Sequence, residues 1–298
     1  MLKLDEKKIR KGNPIGLPYQ GSKKKISKKI VEIIKQNFGT DKPIYDIFGG
    51  GGAITAECIL NGLEVYYNDL DKDITNAFER VISQDREWIK TLIVSRDEFF
   101  EIKAKENKTT DDFLKLLVNS FGNQKRGYLY NKEISDLKYN LAKEIIKNHD
   151  VFRGYKQTET YKRAIEPKQL EQLIRLGGLE QLQQLQQVER FQQIDEVKVT
   201  NKSYHDFSEV TGAILYLDPP YEGATHEGYK DVSSAFDSQE FYDWAFEMAK
   251  TNIVIISSYS ISDERFETVY SFDKARSTLQ GGENSKGKNE KLFMVKGS

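Results

Sequence analysis

The sequence has few of the residues that form disulfides or zinc sites. Its 298 residues include one cysteine, Cys58, and three histidines. A single cysteine excludes an internal disulfide, and structural zinc sites usually take four cysteine or histidine ligands. We therefore expect a metal-free protein of the cytoplasm, in which Cys58 is a small core residue of a predicted helix.

Long apolar runs are also missing. No segment approaches the roughly 18 consecutive apolar residues that a membrane helix needs. The charged first residues, MLKLDEKKIRKGN, contain no apolar stretch typical of a signal peptide. The content of 38% hydrophobic and 31% charged residues is typical of a globular chain with one large domain or two linked ones. We expect no membrane partner.

The net charge of −1 gives no sign of a nucleic-acid partner, but two local clusters are basic. The first consists of lysines alone: Lys23, Lys24, Lys25, Lys28 and Lys29. Solvated lysines on a helix face explain it equally well. In the second, Lys125 and Arg126 stand beside Tyr128 and Tyr130. Cationic side chains interleaved with aromatic rings suit a phosphate backbone and unstacked bases.

The apolar run at 213–217 ends in the sequence Asp218-Pro219-Pro220-Tyr221. Neither proline has an N–H group, and each favours an extended conformation in the residue before it. Open α/β sheets bind their ligands at such carboxyl ends of strands. Asp218 and a fixed proline carbonyl would then be two acceptors for an NH2 group, and Tyr221 a stacking face for a flat base. A plain turn is the alternative, since Asp-Pro and Pro-Pro are common in loops.

Residues 43–62 predict a strand, a glycine loop and a helix over 53–60. Gly49 to Gly52 allow positive φ angles and a close approach of the backbone to a ligand. A second strand, 63–68, ends at Asp69, at nearly the interval of roughly 20 residues at which a carboxylate binds ribose in a βαβ unit. Because no Lys-Ser or Lys-Thr pair follows the glycines, the loop suits adenosine with an uncharged or zwitterionic tail better than a triphosphate.

Four segments together resemble the Dam-like, D12-class N6-adenine DNA methyltransferases: GLPYQGSKKKI (16–26), DIFGGGGAIT (46–55), NDLD (68–71) and DPPY (218–221). They stand in the order of that family, and the resemblance extends from about residue 14 to 296. It implies an α/β fold, a Rossmann-like S-adenosylmethionine-dependent methyltransferase sheet with an inserted, mainly helical target-recognition domain. The catalytic domain would comprise 1–80 and 200–298, and the DNA-recognition insert 81–199.

The resemblance also implies roles for individual residues. The catalytic residues would be Asp218, Pro219, Pro220 and Tyr221. The residues that contact the cofactor, S-adenosyl-L-methionine, would be Tyr19, Lys23, Asp46, Phe48, Gly49, Gly51, Asp69, Asp206, Phe207 and Asp218. Double-stranded DNA would be the partner, contacted by Lys125, Arg126 and Tyr128. The resemblance implies a bacterial or phage-encoded enzyme in the cytoplasm and leaves open a restriction endonuclease partner.

By this resemblance the adenine amino group would donate to Asp218 and to the Pro219 carbonyl, which frees the nitrogen lone pair for in-line methyl transfer. The base would leave the duplex and stack on Tyr221. Three alternatives stay open. An N4-cytosine methyltransferase more often carries serine in place of Asp218, and an enzyme acting on an RNA base or a glutamine amide would favour asparagine there. A non-catalytic DNA regulator that binds the cofactor is the third.

The remaining patterns concern the insert and the last third of the chain. Helices are predicted around 84–105, 110–121 and 133–148, with a hairpin-like segment at 121–133. Apolar residues recur at every third position through 170–194. On one straight helix this repeat would drift about 60° per step and leave the face on which it began. Gly177 and Gly178 would divide the segment into two pieces. A helix at 241–250, strands at 251–259 and 288–297, and a mobile loop at 281–288 complete the prediction.

Overall fold

The computed structural model describes residues 1–19, 21–165, 178–194, 197–222, 236–272 and 289–297. The expected loop at 281–288 and positions 170–177 of the leucine-rich segment lie outside these residues. The chain forms two compact units. The first comprises Met1–Gly16, Gly21–Thr75 and Ile194–Ser298, and the second comprises Leu17–Gln20 and Asn76–Gln193.

The described helices, in chain order, are α1 (Ser27–Phe38), α2 (Ala53–Leu60), α3 (Lys72–Ile82), α4 (Arg86–Lys90), α5 (Arg96–Ala104), α6 (Thr110–Val118), α7 (Ser135–Asn148), α8 (Glu159–Ile165), α9 (Glu180–Glu189) and α10 (Ser238–Met248). The described strands are β1 (Ile44–Asp46), β2 (Val65–Asn68), β3 (Lys198–Thr200), β4 (Ile214–Leu217), β5 (Ile253–Ser258), β6 (Phe266–Ser271) and β7 (Lys291–Val295).

All seven strands form one sheet in the first unit, in the order β3-β2-β1-β4-β5-β7-β6. The first five strands in this order are parallel to one another, whereas β7 runs antiparallel to β5 and to β6. The predicted α/β class with a mostly parallel sheet is therefore confirmed. Strand order reverses beside β1, which pairs with β2 on one side and with β4 on the other. Open sheets bind ligands at the carboxyl ends of strands beside such a reversal.

The sheet is buried on both faces, which explains why β4 reads as an unbroken apolar run. Ile214 and Tyr216 pack into one core with α1 and α2, while Leu215 and Leu217 pack into another with α10. Successive side chains of a strand point to opposite faces, so a strand covered on both sides has no polar alternation. Cys58 belongs to the first core and is fully buried, as expected.

The described part of the second unit is helical, but the single helix expected over 84–105 is two helices, α4 and α5. Each begins at a side-chain cap: Asp85 accepts from the Trp88 N–H group at 2.9 Å, and Ser95 accepts from the Glu98 N–H group at 3.1 Å. Asp and Ser at these positions satisfy the free N–H groups of a first turn. The apolar periodicity continues across the break and hides it in the sequence.

The three-residue apolar repeat is buried along its whole described length: Leu179, Leu182, Leu185, Val188, Phe191 and Ile194. The helix α9 is short, so only two steps of about 60° separate Leu182 from Val188. A 3₁₀ turn at Arg190–Gln193 then follows, and its three residues per turn keep Phe191 in line. A short helix continued by a 3₁₀ turn thus buries a stripe that one straight helix could not.

Candidate active site

The glycine loop joins β1 to α2 at the carboxyl edge of the sheet. Gly50 and Gly52 have φ angles of 47° and 70°, the left-handed region that glycine adopts without strain. The Gly52 N–H group donates to the Gly49 carbonyl at 2.8 Å, which closes the turn before the first residue of α2. Gly51 is buried within this turn.

Gly49 meets a different requirement. A Cβ atom at this position would lie 2.4 Å from Cε2 and 2.6 Å from Cδ2 of Tyr67, a fully buried residue of β2. The Tyr67 hydroxyl in turn donates to the Gly50 carbonyl at 2.8 Å. Gly49 is therefore required by the protein's own packing, whereas the sequence suggested only the approach of a ligand.

Asp69 follows β2 and holds the glycine loop directly. Its Oδ2 accepts from the Gly50 N–H group and its Oδ1 from the Asp71 N–H group, both at 2.8 Å. Burial raises the pKa of Asp69 to about 6, against the lowering effect of these two hydrogen bonds. Leu70, the next residue, is 49% exposed. The sequence analysis missed this apolar side chain, although its place directly after the acid was a usable signal.

Asp46, an expected cofactor contact, is buried inside the protein. The side chain is buried, and its Oδ2 accepts from the Thr55 N–H group at 3.1 Å and from the Thr55 hydroxyl at 2.6 Å. Burial raises the pKa of Asp46 to about 7, which Thr55 partly opposes. These bonds fasten the first turn of α2 to the end of β1, so Asp46 sets the position of the glycine loop.

Phe48, Asp206 and Phe207 are three further residues that were expected to contact the cofactor. Phe48 is half-buried, with its ring centroid 5.7 Å from that of Phe241 and 6.1 Å from that of Tyr204. Asp206 is exposed, and its Oδ2 accepts from the Ser203 N–H group at 3.0 Å, which caps a short 3₁₀ helix. Phe207 is a core residue. The sequence analysis did not single out Tyr204, whose ring is a neighbour of Phe48.

Asp218 ends β4 in an ion pair with a residue 195 positions away. The Lys23 ammonium donates to both carboxylate oxygens at 2.7 Å. The Tyr221 hydroxyl oxygen lies 3.2 Å from Oδ1, and Lys23 Nζ lies 5.0 Å from the centroid of the Tyr221 ring. Pro219, between them, is buried, and Pro220 is half-buried. The structure thus joins the N-terminal motif to Asp218 and Tyr221.

Burial raises the pKa of Asp218 to about 6, although Lys23 pulls it down. The positive charge of Lys23 favours the ionised carboxylate, which accepts hydrogen bonds. Burial also raises the pKa of Tyr221 well above its usual value, so the hydroxyl keeps its proton and acts as a donor. The result is an anionic acceptor beside an aromatic ring at a strand end.

Glu290 is a member of this site that the sequence analysis missed. Its Oε1 accepts from the Tyr221 hydroxyl at 2.5 Å and from the Ser257 hydroxyl at 2.8 Å. Glu290 directly precedes β7, which runs antiparallel to β5. The start of an antiparallel strand lies at the carboxyl edge of its parallel neighbours, so an acid near the start of the predicted last strand, 288–297, was the available signal.

A family model for D12 class N6 adenine-specific DNA methyltransferases matches residues 19–281, most of the chain. The chain belongs to this family. It is an enzyme that transfers a methyl group to the N6 amino group of adenine in DNA, as the motifs predicted. A search of curated proteins gave no match.

Two general properties of the methyltransferase follow from the described residues. Among them, no helix combines the length and the apolarity needed to cross a membrane. Within the same residues, no three His, Cys, Asp or Glu side chains lie close enough together to hold a metal ion.

Tyr19, an expected cofactor contact, is half-buried and belongs to the second unit.

The hairpin-like segment of the methyltransferase spans residues 119–129. The Phe121 N–H group donates to the Gly127 carbonyl at 3.0 Å, and the Leu129 N–H group donates to the Asn119 carbonyl at 2.8 Å. Arg126 is exposed at the tip, while Lys125 is half-buried with its ammonium 4.0 Å from the centroid of the Phe113 ring. Phe121, which the sequence analysis did not select, is 71% exposed.

Tyr128 does not lie where its predicted role requires. The ring is 6% exposed and packs edge-on against Phe99, 5.5 Å between centroids. The hydroxyl donates to the Val94 carbonyl at 2.8 Å and accepts from Gln181 Nε2 at 3.1 Å. Tyr128 is a core residue of the second unit, and we exclude it from the DNA-contacting set. Alternation along the hairpin turns this ring inward while the tip stays exposed.

The contact between Gly49 and Tyr67 predicts a loss of stability for Gly49→Ala. The new methyl group must displace a buried ring, and overpacking of this kind costs typically about 1–3 kcal/mol. Gly127→Ala is the matched control, because a Cβ there meets nothing within 4 Å. Thermal and urea unfolding should show a lower midpoint for the Gly49 variant alone. Equal midpoints for both variants would contradict the packing argument.

Proposed function

We propose that the methyltransferase binds S-adenosyl-L-methionine against the glycine loop and Asp69 and presents Asp218 to the amino group of a flipped adenine. The observation that carries this proposal is the placement of both acids at one edge of the sheet. Asp69 follows β2 and bonds the loop after β1, while Asp218 follows β4, the other neighbour of β1. Cofactor and target base would therefore meet at the reversal of strand order.

The residues around Asp69 fit such a cofactor. Each carboxylate oxygen accepts one backbone hydrogen bond among the described residues, and a carboxylate oxygen has two lone pairs, so both retain capacity for ribose hydroxyls. The exposed Leu70 and the half-buried Phe48 offer apolar surface for an adenine ring. When bound, the cofactor supplies an electrophilic methyl group on a sulfonium sulfur.

The chemistry that the chain itself contributes is the activation of the amino nitrogen. Its lone pair is delocalised into the adenine ring, so nitrogen attacks poorly. Hydrogen bonds from the two N–H groups to the Asp218 carboxylate and the Pro219 carbonyl would favour a tetrahedral nitrogen with a localised lone pair. The Tyr221 ring, fixed through its hydroxyl, would stack on the base and offset part of the few kcal/mol that flipping costs.

We propose the second unit as the inserted, mainly helical target-recognition domain, with the tip of the 119–129 hairpin as its DNA contact. Arg126 and Phe121 are both exposed there. An arginine can bind a phosphate or a guanine edge, and an exposed aromatic ring can stack on a base. Lys125 lies at the same tip and would add positive charge beside the phosphate backbone.

Replacing Asp218 with alanine should abolish most methyl transfer. The variant loses the anionic acceptor, and removal of an electrostatic partner in a closed site typically costs about 10²–10³ in turnover. Methyl incorporation into DNA from labelled cofactor measures this, with Asp73→Ala, an exposed aspartate of α3, as the control. Turnover of the Asp218 variant within tenfold of the parent would refute the mechanism.

Replacing Asp69 with alanine should weaken cofactor binding by about 1.5–3 kcal/mol, the scale of a charge-assisted hydrogen bond. Affinity for DNA without cofactor should hardly change. Isothermal calorimetry gives both values. Asp69 also accepts a hydrogen bond from the Gly50 N–H group, and the alanine variant loses this bond as well. The variant Asp69→Asn keeps one acceptor oxygen but has no charge. It therefore separates disturbance of the glycine loop from loss of ribose binding. Unchanged cofactor affinity in both variants would remove Asp69 from the site.

Replacing Arg126 with alanine should weaken binding to duplex DNA. If the guanidinium neutralises a phosphate, the slope of the logarithm of DNA affinity against the logarithm of salt concentration should fall in magnitude by about one unit. The double replacement of Lys125 and Arg126 should lower it by up to about two units. If Arg126 reads a guanine edge, the loss should be about 1–3 kcal/mol greater on the methylated site, once mapped, than on random duplex. Titrations of DNA binding over a range of salt concentrations distinguish these outcomes, with Lys250→Ala as the control. An unchanged slope and an unchanged affinity would show that this tip does not face DNA.

A further inference from the structure

Positive charge is concentrated in the first 29 residues of the methyltransferase. Residues 1–29 contain ten lysines or arginines and two acids, which gives a net charge of +8, whereas the whole chain carries −1. Both acids are already engaged. Asp5 accepts from the Lys7 N–H group at 3.0 Å, and Glu6 forms an ion pair with Lys29. The segment therefore carries far more positive charge than its own acids balance.

Some of this charge serves the packing of the protein. Arg10 pairs with the buried Glu57 at 2.8 Å, and Lys23 pairs with Asp218. Four other side chains are exposed, and their ammonium groups form no ion pair or hydrogen bond with any residue that the structure describes: Lys7, Lys8, Lys11 and Lys25. We call these four side chains the N-terminal lysine face.

The N-terminal lysine face surrounds the first turn of α1. Lys28 of this turn donates to the Gly12 carbonyl at 2.9 Å, and Lys29 pairs with Glu6 at 2.5 Å. These two contacts hold the three lysines that stand between Glu6 and Gly12 beside the turn. The fourth, Lys25, ends a short 3₁₀ helix two residues ahead of α1. Two separate stretches of the chain thus bring their charges to one surface.

This surface adjoins the carboxyl edge of the sheet. The 3₁₀ helix Lys23–Lys25 leads into α1, and its first residue bonds Asp218 at the end of β4. The first turn of α1 consequently lies near the edge at which the target base would bind. A duplex whose adenine reaches Asp218 would carry its phosphates past this edge, with one negative charge per about 1.7 Å of its axis.

The stability of the fold does not explain the arrangement. Neighbouring ammonium groups repel one another, and the first turn of a helix carries a partial positive charge that disfavours cations. No acid lies in the first turn of α1 to offset them. A partner with many negative charges would convert this repulsion into attraction, and the family to which the chain belongs acts on such a partner.

We propose that the N-terminal lysine face binds the phosphate backbone of the DNA beside the target base. The inference rests on the proposed function of Asp218 as the acceptor of the adenine amino group. The contact is independent of sequence, because phosphates position a duplex without identifying its bases. It belongs to the first unit, whereas the hairpin tip belongs to the second, so the catalytic unit holds DNA through a surface of its own.

Acetylation of the unaltered enzyme tests this surface directly. Random-sequence duplex DNA should slow the acetylation of the four lysines by about threefold or more, measured by mass spectrometry of peptides, and high salt should remove the protection. The control set precedes, begins or follows strands at the opposite, amino edge of the sheet: Lys42, Lys198, Lys250 and Lys296. Their acetylation should not depend on DNA. Equal protection of both sets, or of neither, would overturn the proposal.

Replacing all four lysines of the face with glutamine tests the charge. Affinity for duplex DNA at low salt should fall about tenfold or more. The slope of the logarithm of affinity against the logarithm of salt concentration should fall in magnitude by about two to four units, since each neutralised phosphate contributes about 0.9. The KM for DNA should rise, while kcat at saturating DNA and cofactor affinity by calorimetry stay within about twofold of the parent.

Two matched variants identify the cause of such a loss. Replacing the four amino-edge lysines with glutamine removes the same charge and should keep the parent slope and KM. Replacing the lysine face with four arginines keeps its charge and should also keep the slope. An unchanged slope in the glutamine variant of the face, or an equal fall in the amino-edge variant, would overturn the proposal. If the fourfold glutamine variant does not fold, Lys11→Gln and Lys25→Gln decide singly, and an unchanged slope in both overturns it.

The outcomes separate this proposal from the function on which it rests. DNA binding without cofactor does not require Asp218, so Asp218→Ala should keep the parent slope while it loses turnover. Turnover by Asp218→Ala within tenfold of the parent would overturn the function of Asp218, whatever the lysine variants show. An inactive Asp218→Ala enzyme together with unprotected lysines would overturn the lysine face alone.

Discussion

The parallel pairing of β1 with β4 is the constraint on which the site depends. Ile44 lies opposite Ile214 and Asp46 opposite Tyr216, so strands about 170 residues apart in the chain end at the same edge. This register places the glycine loop after β1 beside the Asp-Pro-Pro-Tyr turn after β4. The ion pair between Lys23 and Asp218 then joins the N-terminal motif to the same edge. Each motif is a local feature of the sequence, and the sheet together with this ion pair makes them one site.

The site brings several buried carboxylates close together, and their ionisation lowers the free energy of unfolding. Burial raises the pKa of Asp46 and Asp69 above the unfolded value near 4, and Asp218, an anion nearby, raises both further. A raised pKa means that the folded state holds its protons more tightly than the unfolded chain. The free energy of unfolding therefore falls as pH rises from about 4 towards about 7. A bound sulfonium would return part of this energy, because it brings positive charge to an anionic edge.

The sequence predicted most of the fold because the signals were local. The buried strand at 213–217, the helix at 53–60 and the acid after β2 all follow from short patterns. Contacts between distant segments could not be predicted in this way. Gly49 is fixed by the ring of Tyr67, and the place of Glu290 follows from the reversed direction of β7. The inward turn of Tyr128 likewise depends on helices that pack against the hairpin.

Those helices also explain how an exposed hairpin tip can be held in a fixed position. Gln181, in the first turn of α9, is fully buried, and the two N–H groups of its Nε2 have three acceptors within hydrogen-bond distance: the Tyr128 hydroxyl, Asn119 Oδ1 and the Val94 carbonyl. Asn119 and Tyr128 stand on opposite sides of the hairpin, so one amide ties both of its ends to the core. A buried polar group with several partners permits few alternative arrangements. The glutamine beside the buried Leu182 of α9 thereby restricts the base of the segment that carries Arg126 and Phe121, as the DNA contact proposed for this tip would require.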